Sequence, residues 1–377
     1  MIAATELLPK MATYKLAKHG LFPIPRPLTL TCSITTACQS LCQSCNIGLV
    51  YQKNPTLARD DLTLEEIEKI FKSLGHVYFF NISGGEPFLR QDIHEIVRLA
   101  CTYLTPKVIH TPTNALMPQL IEKRTRKILD VMKEEGFGDV PFTIKPSYDG
   151  IGHRHDELRG VKGNFEKLMD TLNRLFALRK DYPNLKVGLG TVISKMNLKD
   201  IPDVVAFAST LPLDTYINEV AEQRFEMFNT NNPITPTAEE YRRAVEHFKN
   251  YSEGRLKDSK DVSKAMFAFR LIYYELTIKT LAEKRQVIPC YGGISNVHLN
   301  AKGEVWPCCV LGYSKPLGNL REAGYDFDNV WHSEQAKDVR RHIHEKKCGC
   351  PLANQMYSNI LLDPASMTKV AAKILFS

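Results

Sequence analysis

Residues 36–46 place three cysteines within eight positions, in the order Thr36-Ala37-Cys38-Gln39-Ser40-Leu41-Cys42-Gln43-Ser44-Cys45-Asn46. The common iron–sulfur clusters take four cysteine thiolates. A local set of three, Cys38, Cys42 and Cys45, can hold three corners of such a cluster and leaves one iron open to a further ligand. The pattern therefore predicts an enzyme whose chemistry begins at these cysteines.

The composition is that of a globular protein. The chain has 377 residues, of which 44% are hydrophobic and 24% charged, with a formal net charge of +7. No run of roughly eighteen or more apolar residues occurs, which argues against a membrane-spanning helix. The first residues lack the layout of a secretion signal, so we expect a cytoplasmic protein. No dense block of Lys and Arg with interleaved aromatic residues is present, so nucleic acid is not an expected partner.

The ten cysteines are grouped. Clustered cysteines in a chain without an export signal more often bind metal or carry out redox chemistry than form disulfides. The cysteine loop described above is one group, and the second lies near the other end of the chain, at Cys290, Cys308, Cys309, Cys348 and Cys350.

Strand and helix patterns alternate between residues 28 and 221. Thr63-Leu64-Glu65-Glu66 is a capping box that predicts a helix start at Thr63. Alternation of this kind implies a parallel sheet built from right-handed βαβ units. About six units fit, fewer than the eight of a closed barrel. We predict an α/β fold: a partial (β/α)6 TIM-like barrel with a small C-terminal β-hairpin/helix cluster-binding domain.

The predicted organisation has five parts. They are an N-terminal helix and Pro-rich lead at 1–27, the barrel at 28–236, a helical linker at 237–289, an auxiliary cluster domain at 290–355 and a C-terminal helix at 356–377. Active sites of such barrels lie at the C-terminal ends of the strands. The polar motifs of this chain follow predicted strands, so we expect them to meet there.

These motifs resemble those of the radical S-adenosylmethionine (radical SAM) superfamily. The Cys38-x3-Cys42-x2-Cys45 spacing is that family's signature, and Gly84-Gly85-Glu86-Pro87 is similar to its glycine-rich motif. Ser147 and Arg159 resemble the pair that holds the methionine carboxylate, a task that suits the planar fork of arginine. The resemblance implies catalytic cysteines in the loop and a cofactor-binding set of Gly84, Gly85, Glu86, Pro87, Asn114, Ser147 and Arg159. One departure is Ser44, where family members often carry an aromatic residue near the adenine.

The second cysteine group resembles the SPASM/Twitch extensions of the same superfamily. Gly303-x4-Cys308 is the recognisable element, and a full SPASM module carries more cysteines than the five present here. The shorter, single-cluster Twitch form therefore fits better. The resemblance implies an auxiliary 4Fe–4S cluster held by Cys290, Cys308, Cys348 and Cys350, with Cys309 as the spare residue. A structural zinc ion on the same four thiols is the alternative.

The function that the resemblance implies is that of an oxidoreductase-type radical SAM enzyme. Its first 4Fe–4S cluster would bind S-adenosylmethionine, take an electron from a flavodoxin- or ferredoxin-type reductant, and yield a 5′-deoxyadenosyl radical that abstracts a substrate hydrogen. The auxiliary cluster would transfer electrons during oxidation, epimerisation or bond formation on an unidentified small molecule or peptide. The predicted substrate contacts follow the sixth strand, at Tyr216, Glu219, Glu222 and Arg224, although a charged barrel rim has the same appearance.

Two other functions stay open at this point. Lys10, Lys15 and Lys18 lie in a weakly amphipathic start, and residues 370–376 are mostly apolar. Interfacial helices have this mixture, so one alternative is radical SAM modification of a lipid or lipid-linked substrate, with weak association at the membrane surface. The other alternative is a non-catalytic zinc or iron–sulfur binding protein. Fold analogy alone does not identify a substrate.

Overall fold

The computed structural model describes residues 4–377, with side chains described from residue 10 onward except at 261 and 262. The first three residues of the predicted N-terminal segment lie outside this range. None of the helices within the described residues has the length and apolar character that crossing a membrane requires.

Six parallel strands form the barrel. They are β1 (Thr29–Ser33), β2 (Phe79–Ser83), β3 (Val108–Thr113), β4 (Phe142–Pro146), β5 (Leu185–Ile193) and β6 (Thr215–Val220). They are hydrogen-bonded in the order β6-β5-β4-β3-β2-β1, and each neighbouring pair is parallel. The predicted α/β fold with a partial six-stranded barrel is thereby confirmed.

Eight helices accompany this part of the described chain. They are α1 (Ala4–Lys18), α2 (Ile47–Lys53), α3 (Leu64–Leu74), α4 (Ile93–Leu99), α5 (Pro118–Glu134), α6 (His153–Arg159), α7 (Asn164–Leu178) and α8 (Ile201–Ser209). Helix α3 begins as predicted, because Thr63 and Glu66 form a reciprocal capping box. Its apolar face is buried, and Phe71 on this face packs against Phe80 of β2.

The C-terminal region extends the barrel sheet. Strand β7 (Asn296–Leu299) pairs in parallel with β1, and β8 (Glu304–Trp306) and β9 (Gly318–Asn319) follow in antiparallel pairing. The turn between β7 and β8 is tied to the barrel, since Lys302 Nζ lies 3.1 Å from Asp61 Oδ1. The predicted hairpin is present, and it covers the β1 edge of the sheet, which would otherwise expose unpaired backbone groups.

The predicted helical linker consists of α9 (Ala238–Asp258) and α10 (Asp261–Glu283). The two helices pack against each other, and α9 also packs against α8. They bury large aromatic side chains, including Tyr241, Phe248, Tyr273 and Tyr274. These helices are therefore part of the hydrophobic core and do not act as a spacer.

The chain ends in four further helices: α11 (Phe327–Trp331), α12 (Glu334–His344), α13 (Ala353–Leu362) and α14 (Pro364–Leu375). The sequence predicts one C-terminal helix at 356–377, whereas the structure has α13 and α14. The break falls at Asp363 because the residue before a proline is disfavoured in helical conformation. Asp363 instead caps α14 by accepting a hydrogen bond from the Ser366 backbone NH.

Helix α1 docks on the C-terminal module. Tyr14 is buried in a cluster with Tyr291, Ile294 and Leu362. Lys18 Nζ donates a hydrogen bond to the Cys290 carbonyl oxygen. Tyr14 of this basic helix is therefore covered by protein, whereas Leu16 is 44% exposed, and Lys18 points to the second cysteine group.

Candidate active site

The three cysteines of the loop after β1 line a cavity of about 280 Å³ at the C-terminal ends of the strands. The predicted cofactor-binding residues line the same cavity: Gly84, Gly85, Glu86, Pro87, Asn114, Ser147 and Arg159. The fold thus brings together residues from four strand ends, as the barrel rule leads one to expect.

The cysteine loop is fixed on one side by the end of α6. The Arg159 carbonyl oxygen accepts hydrogen bonds from the Leu41 backbone NH (3.2 Å) and from Ser40 Oγ (3.1 Å). Gly160 follows with a φ of +69°, and a Cβ at this position would overlap the Leu41 carbonyl oxygen. Only glycine combines this backbone conformation with so close an approach.

A segment after β6 fixes the loop on its other side. The Asn229 amide donates to the Ser44 carbonyl oxygen and the Asn232 amide donates to that of Gln43, each at 2.7 Å. The sequence does not predict either asparagine, because no local pattern marks them. Their contacts show that the segment carrying the predicted substrate residues also shapes the cysteine loop.

The glycine pair allows the loop after β2 to approach the cysteine loop. Gly84 has a φ of +136°, and a Cβ on it would overlap the Thr35 carbonyl oxygen. A Cβ on Gly85 would overlap the Ala37 carbonyl oxygen and press on the Cys38 side chain. Close packing therefore requires glycine at both positions. The pair also lines the cavity.

Glu86 organises the loops and is itself buried. Its carboxylate accepts hydrogen bonds from the Asn114 backbone NH (2.7 Å) and from Thr113 Oγ1 (2.9 Å). Burial raises the pKa of Glu86 to about 7, against the opposing effect of these donors. Glu86 therefore joins the loops after β2 and β3.

Arg159 presents its guanidinium to the cavity. Its Nη1 lies 3.1 Å from Asp149 Oδ2, and both side chains are largely buried. Its Nε is buried and has no hydrogen-bond partner among the described residues. The guanidinium therefore keeps donor capacity for a carboxylate in the cavity, as a methionine-binding role requires.

The donor set of the cysteine loop fits an iron–sulfur cluster. Burial raises the pKa of Cys38 to about 11 and that of Cys45 to about 12, and the charge of Cys42 also raises the pKa of Cys45. Thiols with pKa values raised in this way become thiolates at neutral pH only beside a cation. Metal ligation supplies that charge and releases the protons.

The second cysteine group draws on three separate segments. Cys290 precedes β7, Cys308 follows β8, and Cys348 and Cys350 lie between α12 and α13. Burial raises the pKa of Cys308 to about 12, and the charges of Cys290 and Cys348 act in the same direction. Burial likewise holds the pKa of Cys350 well above its usual range, with Glu222 and Cys308 adding to it. The charges of these cysteines therefore act on one another, which is consistent with thiols placed around one cluster.

Cys309 faces the other way. It lines the main cavity together with Glu226. The fold thus separates the vicinal cysteines, with Cys308 on the side of the second group and Cys309 on the side of the cavity.

The cavity interior contains a row of polar side chains from neighbouring strands, which the sequence patterns above do not predict. Thr31, Asn81 and His110 lie in register on β1, β2 and β3 and line the cavity. Lys145 on β4 also lines it, with its Nζ 3.8 Å from Glu219 Oε1. Polar residues at alternate positions of otherwise apolar strands could have indicated this inward face.

Three of the four predicted substrate residues line the cavity: Glu219, Glu222 and Arg224. Glu222 and Arg224 form a buried ion pair of 2.8 Å. Tyr216 does not reach the cavity, because successive side chains of a strand point to opposite faces. Its ring packs against Phe248 in the helical layer, so we correct the prediction for this residue.

Comparison with known proteins identifies both regions. The sequence model of the radical SAM superfamily matches residues 32–208, and that of the SPASM iron–sulfur cluster-binding domain matches residues 290–351. The AdoMet-dependent heme synthase of Methanosarcina barkeri is 26% identical over 333 residues, covering 82% of this chain and 85% of that protein. The Bacillus subtilis subtilosin biosynthesis protein AlbA is 22% identical over 349 residues, covering 90% of this chain and 69% of that protein.

The fold is also that of a solved structure. The structure of Streptococcus suis SuiB bound to S-adenosylmethionine superposes with a TM-score of 0.57 at 17% identity, covering 89% of this chain and 73% of that one. The two matched domains carry a SAM-binding 4Fe–4S cluster, an auxiliary cluster and S-adenosylmethionine as cofactors. The chain belongs to the radical SAM superfamily and carries a SPASM-type iron–sulfur domain.

Proposed function

We propose that this chain is an oxidoreductase-type radical SAM enzyme that acts on a polar small molecule or peptide. The observation that carries the proposal is the single cavity shared by the cysteine loop, the glycine pair, Arg159 and the polar barrel interior. When bound and reduced by a flavodoxin- or ferredoxin-type partner, the cluster and S-adenosylmethionine supply a 5′-deoxyadenosyl radical that removes a substrate hydrogen atom. In this proposal, residues 28–236 carry out the radical chemistry and residues 290–355 hold the auxiliary cluster.

The residues of the chain bind and orient in this scheme. Cys38, Cys42 and Cys45 hold the first cluster, and the backbone at Gly84 and Gly85 meets the methionine amine. Arg159 holds the carboxylate with its fork, oriented by Asp149. The buried loops around these groups exclude water from a reactive intermediate.

The second cysteine group acts in electron transfer in this proposal. Four thiolates from Cys290, Cys308, Cys348 and Cys350 leave no open iron for a substrate. Glu222 lines the cavity, and its charge raises the pKa of Cys350. This proximity supports exchange of an electron between a substrate radical and the auxiliary cluster.

The substrate proposal rests on the cavity and on the relatives. Lys145, Glu219, Glu222 and Arg224 offer charges of both signs, which suits a substrate with carboxylate and amide or amine groups. The relatives include a heme synthase, a bacteriocin biosynthesis protein and a peptide cyclase, so porphyrin-type and peptide substrates are the first to test. The named relatives give no such support to a lipid substrate.

The test uses anaerobically reconstituted full-length protein with dithionite, S-adenosylmethionine and panels of peptides and iron porphyrins. We expect 5′-deoxyadenosine and one substrate of altered mass. Cys348→Ala should keep 5′-deoxyadenosine formation and lose the altered product. If this variant turned over substrate normally, the electron-transfer role would be wrong.

A further inference from the structure

Three side chains with metal-binding atoms meet between the C-terminal hairpin and the segment after β6. They are the Glu226 carboxylate, the His298 imidazole and the Cys309 thiol, whose ligand atoms all lie within 4.8 Å of one another. His298 and Cys309 lie 11 residues apart on the hairpin, whereas Glu226 belongs to the segment after β6, so the fold brings the carboxylate to the other two. The proposed radical chemistry assigns no role to any of them.

The histidine is already oriented as a ligand. Its Nδ1 lies 3.0 Å from Cys309 Sγ, and its Nε2 lies 2.8 Å from Ser33 Oγ. Histidine ligands commonly use the second ring nitrogen in such an outer hydrogen bond, which fixes the ring. The ring of His298 is 2% exposed and packs on Trp306 with centroids 5.0 Å apart. It therefore has little freedom to turn away.

The distances suit a small tetrahedral ion. Zinc lies about 2.0–2.1 Å from histidine nitrogen and about 2.3 Å from cysteine sulfur, so the two ligand atoms stand about 3.5 Å apart. Nδ1 of His298 and Sγ of Cys309 would have to separate by roughly half an ångström to admit it. One sulfur, one nitrogen and one carboxylate oxygen form a donor set that zinc accepts.

The local charges call for a cation. Glu226 Oε2 is buried and has no hydrogen-bond partner among the described residues. The neighbouring guanidinium of Arg224 pairs with Glu222 at 2.8 Å through Nη2, and its Nε has no hydrogen-bond partner among the described residues. A Cys309 thiolate and a Glu226 carboxylate would together add two partly buried negative charges, which a divalent ion balances.

We propose that Glu226, His298 and Cys309 bind one zinc ion whose fourth coordination position faces the substrate cavity. Cys309 and Glu226 both line that cavity. Three protein ligands with one open position is the arrangement of catalytic zinc sites. The fourth ligand is an oxygen donor, namely water or a substrate carboxylate. The site goes beyond the proposed radical chemistry and stands independently of it.

The first experiment counts metals by mass spectrometry in full-length protein that is purified anaerobically, reconstituted with iron and sulfide, given zinc, and passed over a chelating resin. We expect roughly one zinc per chain in addition to the cluster iron. Cys309→Ser and Glu226→Gln should lower the zinc content at least tenfold and leave the iron content unchanged, which also shows that they fold. The control Cys350→Ser should lose auxiliary iron and keep its zinc.

Zinc K-edge X-ray absorption reports the atoms bound to zinc. Because the edge is specific to zinc, the cluster iron does not contribute to the signal. The site predicts one sulfur at about 2.3 Å and nitrogen or oxygen neighbours at about 2.0–2.1 Å. Ser33→Ala should weaken zinc binding by roughly 10–100-fold in chelator competition, since it removes the outer hydrogen bond. Absence of zinc from the wild-type protein, four sulfur neighbours, or full zinc retention in Cys309→Ser would each overturn the proposal. Measurement of 5′-deoxyadenosine on the same samples keeps these outcomes separate from the radical chemistry.

Discussion

The carbonyl oxygen of Arg159 accepts a hydrogen bond from the backbone NH of Leu41 at 3.2 Å, in the middle of the cysteine loop. The side chain of the same arginine faces the cavity that the loop lines. The end of α6 therefore supports the loop with its backbone and offers a carboxylate-binding group with its side chain. The two tasks can be separated by mutation, because side-chain substitution leaves the carbonyl in place.

Gly160→Ala should destroy the first cluster site. The new Cβ would overlap the Leu41 carbonyl oxygen, and alanine would be strained at a φ of +69°. We expect loss of the iron of one cluster and of SAM cleavage, measured by iron content and 5′-deoxyadenosine. Gly163→Ala is the matched control, since its φ is +75° with open space around the new atom. Equal iron loss in both variants would point to backbone strain in place of the contact with Leu41.

Arg159→Lys should weaken S-adenosylmethionine binding while the cluster stays intact. Lysine carries the charge but not the planar fork that grips a carboxylate. Loss of a charged hydrogen bond of about 1.5–3 kcal/mol predicts a dissociation constant roughly 10–100-fold higher. Calorimetric titration of the oxidised protein measures it, with iron content as the control. An unchanged affinity would remove Arg159 from the proposed cofactor site.

Glu66→Gln should loosen the attachment of the C-terminal module to the barrel. Arg321 binds the Glu66 carboxylate through Nε (2.7 Å) and Nη2 (2.8 Å), and this hydrogen bonding is the main reason that the pKa of Glu66 is lowered to about 2. A depressed carboxyl pKa stabilises the fold above the unfolded value near 4.5, and the gain disappears as the pH falls from there toward 2. We expect a loss of about 1–2 kcal/mol at pH 7 after allowance for solvent screening.

The measurement is urea unfolding of wild type and variant at several pH values. The difference in the free energy of unfolding between wild type and variant should narrow below pH 4.5, because the stabilisation by the ionised Glu66 carboxylate begins to be lost there. Glu65→Gln, at an exposed position of the same helix, serves as the control. A difference that stays constant down to pH 4 would contradict the assigned cause.

Lys18→Met should shift the potential of the auxiliary cluster. The Lys18 ammonium reaches the Cys290 carbonyl, and its charge acts on Cys290 and Cys348. Removing a nearby positive charge disfavours the reduced cluster, by an amount on the order of tens of millivolts. Potentiometric titration followed by electron paramagnetic resonance should show a more negative potential for this cluster alone. Lys15→Met is the comparison, and an equal shift in both variants would contradict the assignment.

The sequence predicts the barrel well because each of its signals is local. The Thr63 capping box, the alternating strands and the cysteine spacing depend on neighbouring residues, and all of them recur in the structure. Local sequence signals do not show which distant residues the fold brings into contact. Asn229 reaches Ser44 across 185 positions, and β7 joins β1 only because the hairpin returns to the barrel edge.

One error, at Tyr216, has a simple physical reason. Tyr216 was placed in the site by its nearness to Glu219, whereas strand alternation turns it to the helical layer. Cys309 is predicted as the spare residue beside Cys308, and in the structure Cys309 lines the cavity. Its contact with His298 appears only in three dimensions.

The central claim is that the cysteine loop supports reductive cleavage of S-adenosylmethionine. Quantifying 5′-deoxyadenosine from reconstituted wild-type protein and from Cys42→Ala, under dithionite and without oxygen, tests it most directly. We expect the product from the wild-type protein and none from the variant, even when the auxiliary iron is retained. No product from fully reconstituted wild type, or equal product from Cys42→Ala, would contradict the account.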